Sequence, residues 1–168
     1  MTNPVVDVVT NHGAFAIELD PAKAPKSVAN FLRYVDAQHY DGTVFHRVIP
    51  TFMIQGGGFD AQLEKKPVQA PIENEATNGL KNTRGTVAMA RTNDPHSATS
   101  QFFVNVTDNA FLDHTAPAGP GWGYAVFGKV ISGMDAVDAI KAVKTGAQGP
   151  FAKDAPVTPV VIQSVRRR

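Results

Sequence analysis

Residues 45–59 read FHRVIPTFMIQGGGF. Two short apolar runs, 43–49 (TVFHRVI) and 52–55 (FMIQ), flank Pro50, and three consecutive glycines follow the second. Runs of this length, bounded by proline and glycine, are strand signals. The stretch holds one histidine, one arginine and one glutamine, and no Ser, Cys, Asp or Glu before Asp60. It poses a chemical question: what can a site do with a permanent cation and an amide, but no nucleophile and no carboxylate?

Working outward, more short strand runs appear. Residues 5–9 (VVDVV) and 14–19 (AFAIEL) flank Asn11-His12-Gly13, which reads as a hairpin turn. Further runs lie at 86–90, 100–106 and 124–130, and the run 159–165 can pair with the first and close the sheet. Two helices fit. Ala24 to Ala37 places Val28, Phe31, Leu32 and Val35 on one stripe, with Pro25 in its first turn. Met134 to Val143 follows with Met134, Val137 and Ile140 on one face and Ser132 and Asp135 as a capping pair. Many short strands with only two helices imply an all-β antiparallel barrel or sandwich, and closure favours the barrel because it removes exposed edges. No repeat or linker divides the chain, so residues 1–168 are expected to form one domain.

Composition excludes several function classes. Cysteine is absent, which removes disulfides, thiolate metal sites and thiol nucleophiles. The net charge is +1 with acids and bases dispersed, so no nucleic-acid partner is expected, and Arg166-Arg167-Arg168 reads as a solvated tail. The N-terminus MTNPVVDVVT has neither a basic nor an apolar leader region, and no span suits a bilayer. The starting Met points to a cytoplasmic protein; a recloned mature periplasmic domain would carry the same Met. The five histidines, at 12, 39, 46, 96 and 114, show no zinc-type spacing. The glycines 56–58 lack the Lys-Ser/Thr of a phosphate loop, and Ser100 and His96 lie in no nucleophile motif. No metal or cofactor is expected.

In SQFFVNV, residues 100–106, alternation puts Gln101, Phe103 and Asn105 on one face and Phe102, Val104 and Val106 on the other. The second face is core. The first is either a solvated surface or the wall of a pocket. Arg47, Phe52, Met53 and Gln55 tilt this towards a pocket, since a dry floor with a few placed donors is the usual makeup of a ligand site. The alternative for Arg47 is an outward residue paired with an acid. Met53 and Gln55 share a strand face while Phe52 has the opposite parity, so the chain must be irregular near Thr51-Phe52, where Pro50 favours a break.

One reaction needs no more than a cation, amides and aromatic walls. Rotation about a prolyl peptide bond makes and breaks no bond; its barrier, ~18–20 kcal/mol, is lost amide resonance. A donor aimed at the pyramidal prolyl nitrogen of the twisted state binds that state better than either planar one. Arg47 can be that donor, an apolar slot can hold the ring, and Gln55 can hold a carbonyl. A non-catalytic proline-peptide binding module or chaperone on the same fold is the alternative reading. An acyl hydrolase using Ser100 is a remote third.

FHRVIPTFMIQGGGF, GTVAMARTNDPHSATSQFFVNV, FLD and YAVFGKVISGMD, in order over nearly the whole chain, resemble the cyclophilin family of peptidyl-prolyl cis-trans isomerases, most closely its bacterial cytoplasmic branch. The resemblance implies a closed eight-stranded antiparallel barrel capped by two helices, with the site on the outer wall. It implies action on proline-containing peptides and folding proteins. No stretch of the sequence suggests a dimer interface, so a monomer is expected. It gives Arg47 and Gln55 catalytic roles and substrate contacts to Phe52, Met53, Ala90, Arg91, Gln101, Phe103, Phe111, Leu112 and Tyr124. Arg91 stands where the familiar eukaryotic pattern has asparagine, at a position where backbone contacts dominate. Phe111 replaces a common tryptophan and Tyr124 a common histidine, which implies weakened cyclosporin binding more than altered catalysis.

Overall fold

Val5–Thr10 (β1) and Gly13–Leu19 (β2) form the expected hairpin, with Thr10 opposite Gly13. Pro25–Asp36 (α1) follows, then Arg47–Ile49 (β3), Met53–Gly56 (β4), Thr86–Met89 (β5), Phe102–Asn105 (β6) and Val126–Ser132 (β7). Met134–Lys141 (α2), Thr145–Gln148 (β8), Phe151–Pro156 (β9) and Ile162–Arg167 (β10) complete the chain. The computed structural model describes residues 3–168; Met1 and Thr2, on which the reading of the starting Met rests, lie outside them.

Eight strands form one antiparallel sheet in the order β10-β1-β2-β7-β5-β6-β4-β3. The sheet curls until its ends meet at a short seam. Val44 bridges Val161, Phe45 N–H donates to the Val160 carbonyl (3.0 Å), and Ile162 N–H donates to the Thr43 carbonyl (2.7 Å). Closure thus rests on one bridge and its flanking hydrogen bonds, with no full ladder between β10 and β3.

The inner faces and two helices make the main core. Phe102, Val104, Val48, Ile54 and Val87 point inward and are fully buried. The predicted stripe of α1 is buried, and the Phe31 ring meets those of Tyr40, Phe102 and Phe127 at 5.2, 5.5 and 5.2 Å. Burying one such side chain contributes roughly 1.5–3 kcal/mol. No helix among the described residues is long and apolar enough to cross a membrane.

Several expectations are corrected. The Ser132–Asp135 capping pair does not form. Gly133 is the N-cap of α2 at φ +81°, and a Cβ there would meet the Ala14 carbonyl and lie 2.6 Å from Phe15 Cα. Asp135 stays in the first turn, where the helix dipole favours a carboxylate. The cap of α1 comes from a distant loop: Glu75 accepts from the N–H groups of Lys26 (3.1 Å) and Ser27 (2.6 Å) and from Ser27 Oγ (2.7 Å). The terminal arginines are solvated, as expected, but they are not a free tail, since Arg166 and Arg167 belong to β10 and pair with β1. Arg166 pairs with Asp41 (2.7 Å), Arg167 with Asp36 (2.6 Å) and Arg168 with Asp7 (2.8 Å), which ties β10 to its surroundings. Hydrogen bonds from these guanidiniums hold the Asp36 and Asp41 carboxyls below the usual carboxylate range. The β8–β9 hairpin was unforeseen. The runs 43–49 and 100–106 shorten to three- and four-residue strands.

Candidate active site

The β3–β4 hairpin answers the parity problem at Phe52. Arg47 lies opposite Gln55, Val48 opposite Ile54 and Ile49 opposite Met53. Phe52 N–H donates to the Ile49 carbonyl (2.9 Å), closing a turn over Pro50 and Thr51. Phe52 is therefore a turn residue, released from strand alternation, and can face the same way as Met53.

The register continues outward from Gln55. Gln55 pairs with Phe103, Phe103 with Ala88, and Ala88 with Val126. One row thus crosses five strands on the outer wall: Arg47, Gln55, Phe103, Ala88, Val126. Met53, Ala88, Ala90, Phe103, Leu112 and Val126 form a second apolar cluster, separate from the barrel core. A small concavity of about 40 Å³ opens on it, lined by Arg47, Phe52, Met53 and Gln55 from one side and Ala90, Phe103, Leu112 and Tyr124 from the other. Phe103 is 3% exposed, so its face is not a solvated surface.

Arg47 is exposed, and among the described residues no carboxylate pairs with it. Its Nη1 lies 3.5 Å from Gln55 Oε1 and its guanidinium carbon 5.9 Å from the Phe52 ring centre. Gln101 stands behind Gln55 and accepts from Gln55 Nε2 at 3.0 Å. The glycine run makes room for this. Gly57 sits at φ +93°, and a Cβ on Gly58 would come within 2.5–2.7 Å of the Gln101 side chain.

Three residues lie at or beyond the rim. Arg91 donates to the Gly123 carbonyl from Nε (3.1 Å) and Nη2 (2.9 Å) and stacks 4.4 Å over the Tyr124 ring, so its side chain braces a wall residue instead of lining the concavity. Phe111 is 73% exposed and stacks on Phe52 at 5.5 Å. Gln101 reaches the site only through Gln55.

Nucleophilic chemistry finds no support. Ser100 is fully buried and donates to the Gly57 carbonyl (3.0 Å), while His96 accepts from Asn74 N–H (3.1 Å) and packs on Trp122. Among the described residues no cluster of three or more His, Asp or Glu could hold a metal. A larger cleft of about 370 Å³ lies beyond Leu80 and Val126, but Glu18, Asp20, Lys81 and Lys129 make it a charged trough with no aromatic wall.

His46 precedes Arg47 but faces away from the concavity, packed between Phe59 (4.7 Å) and Phe151 (5.1 Å). Its Nδ1 is buried without a hydrogen-bond partner. Burial, reinforced by the charge of Arg47, pushes its pKa down to about 4. The neutral ring is thus favoured by folding. Its contribution is fully present above the unfolded pKa, about 6.5, and is lost as pH falls towards 4. The shift corresponds to about 3 kcal/mol. Urea midpoints of wild type should fall over this window, and those of His46→Phe, which cannot titrate, should fall much less. Equal slopes would remove His46 from the account. Because His46 is neutral above pH 6, kcat/KM for an X-Pro peptide should stay flat from about pH 6 to 8.

The comparisons with known proteins converge on one family. The model described as "Cyclophilin type peptidyl-prolyl cis-trans isomerase/CLD" matches residues 5–167. The chain belongs to the cyclophilin family. It is 61% identical over 161 residues to peptidyl-prolyl cis-trans isomerase cyp18 of Streptomyces antibioticus, covering 96% of each chain. It is 55% identical over 156 residues to peptidyl-prolyl cis-trans isomerase B of Escherichia coli (strain K12), covering 93% of this chain and 94% of the relative. A crystal structure of a Cryptosporidium parvum cyclophilin aligns with TM-score 0.78 at 24% identity, over 99% and 98% of the two chains. The same protein, solved in the presence of the dipeptide Ala-Pro, aligns at 0.77 and 25%, over 98% of each chain.

In this cyclophilin, sequence reasoning missed Ala88 and Val126, which extend the apolar floor. The parity that links Ala88 to Ala90 was the available signal for the first. It also missed Asn82 and Asn109, buried polar residues with no periodic pattern to mark them.

Proposed function

We propose that this cyclophilin catalyses rotation about X-Pro peptide bonds, with Arg47 stabilising the twisted amide and no covalent intermediate. The observation that carries the reading is the cross-strand row. An always-charged guanidinium, unpaired with any described carboxylate, stands beside a dry wall of Phe103, Met53 and Leu112. The wall holds the proline ring. Gln55, itself held by Gln101, steadies a substrate carbonyl. Arg47 donates to the prolyl nitrogen as its lone pair localises, so its hydrogen bond is strongest in the transition state.

The substrates are proline-containing peptides and folding chains, whose X-Pro bonds otherwise isomerise in tens to hundreds of seconds. The match over residues 5–167 supports reading the chain as one domain. It acts as a monomer in the cytoplasm, which sedimentation and cell fractionation test. An isomerisation assay on a short X-Pro peptide tests the activity. Acceleration at catalytic enzyme concentration is the expected result; binding without acceleration would favour a non-catalytic peptide-binding module.

Phe111 sets the response to cyclosporin in this reading. It sits exposed on the rim against Phe52, where tryptophan-bearing relatives would present an indole N–H. A hydrogen bond contributes about 0.5–1.5 kcal/mol and a larger ring adds buried area. Phe111→Trp should tighten inhibition by about tenfold and leave kcat/KM within a few-fold. Unchanged inhibition of an active variant would mean either that Phe111 lies outside the drug site or that Tyr124 controls it.

A further inference from the structure

Alongside the pocket floor runs a chain of buried side-chain amides that the rotation chemistry does not use. Asn105 is fully buried and lies opposite Met53. Its Nδ2 donates to Asn82 Oδ1 (3.1 Å) and Thr86 Oγ1 (3.0 Å), and its Oδ1 accepts from Asn109 Nδ2 (2.8 Å). Asn109 Nδ2 also donates to the Phe52 carbonyl (3.0 Å). At the other end, Asn82 Nδ2 donates to the Tyr124 carbonyl (3.3 Å) and to Asp113 Oδ1 (3.1 Å). Asn82 and Asn109 are 1% and 3% exposed. The chain therefore joins the backbone of Phe52, on the β3–β4 side of the pocket, to that of Tyr124, on the β7 side.

We propose that this amide chain sets the gap between the Phe52 and Tyr124 walls, making Asn82, Asn105 and Asn109 positioning residues that select the ring size the pocket accepts. The proposal rests on the isomerase reading above. Every amide in the chain has partners on both sides, and in a dry interior such linked groups hold one another in place. Cutting one link leaves a buried acceptor that must shift or draw in water. The concavity is only about 40 Å³, so a small shift of either wall is a large fraction of its width. Arg47 hydrogen-bonds to none of these amides; its side-chain contact is Gln55.

The test is ring-size selectivity, which a purely structural role would not move. Three peptides, identical except for azetidine-2-carboxylate, proline or pipecolate at the isomerising position, are assayed with wild type, Asn109→Ser and Asn82→Ser. The serine variants cut the chain at its opposite ends. Asn109→Gln, which keeps the amide on a longer stem, provides a third variant should the serine forms fail to fold. Wild type should prefer proline to pipecolate, and one methylene in a close-fitting pocket is worth roughly 10–200-fold. In any folded variant that preference should fall at least about threefold, a part of that range. A smaller fall, with all three peptides slowed alike, would overturn the proposal whatever the loss in Tm. Wild type inactive on all three would instead overturn the isomerase reading.

Discussion

Phe103→Ala should lose about 3 kcal/mol of stability and raise KM about tenfold. Both effects follow from its position. The ring is 3% exposed, packs with Met53, Ala88 and Leu112, and meets Tyr124 edge-on at 5.7 Å. Truncating a buried Phe to Ala costs roughly 3–5 kcal/mol, and the lower end applies because one face borders an open concavity. The kinetic effect has a different origin. An aromatic wall grips the proline ring in planar and twisted states alike, so its loss removes mainly uniform binding and appears in KM more than in kcat. Urea unfolding and steady-state kinetics on one preparation separate the two. A destabilised variant with unchanged KM would make Phe103 a core residue only and reverse the assignment of its face.

Arg47→Ala should keep the fold and lose about 10²–10³ in kcat/KM, or 2.7–4 kcal/mol of transition-state stabilisation. The fold survives because Arg47 is exposed, forms no ion pair with a described residue, and contacts Gln55 only at 3.5 Å. Arg47→Lys should also be poor, since an ammonium lacks the planar fork of a guanidinium. A folded Arg47→Ala protein with at least half of wild-type kcat/KM would end the assignment.

The parts legible in the sequence are those whose cause is local. Alternation in 100–106 exposed a strand and its two faces, and the turn signal at Asn11-His12-Gly13 exposed the β1–β2 hairpin. The parity conflict at Phe52 marked a break that the structure realises as a turn over Pro50 and Thr51. What stayed hidden depends on partners far along the chain. Glu75 caps a helix 48 residues upstream, and Arg166 reaches Asp41 across 125 residues. β8 has no buried residue and β9 only its last two, so no buried face imposes an apolar period on this hairpin, and positive φ at Gly149 and Asp154 shapes it. At the site, Arg47, Gln55 and Phe103 were visible as residue types, but their alignment in one row needed the strand register. The direction of the Arg91 side chain, which turns to Gly123 and Tyr124 and lies outside the concavity, depends on those distant partners and not on its own residue type.

If Arg47 acts on the twisted amide and not on binding, its removal should slow rotation and leave affinity in place. Exchange NMR at saturating X-Pro peptide measures cis-trans interconversion on the enzyme directly, for wild type and Arg47→Ala. Exchange on the variant should be slowed by about 10²–10³, the loss expected for one transition-state donor, with peptide affinity within a few-fold of wild type. Unchanged exchange on the variant, or affinity lost in proportion to rate, would contradict this role for Arg47.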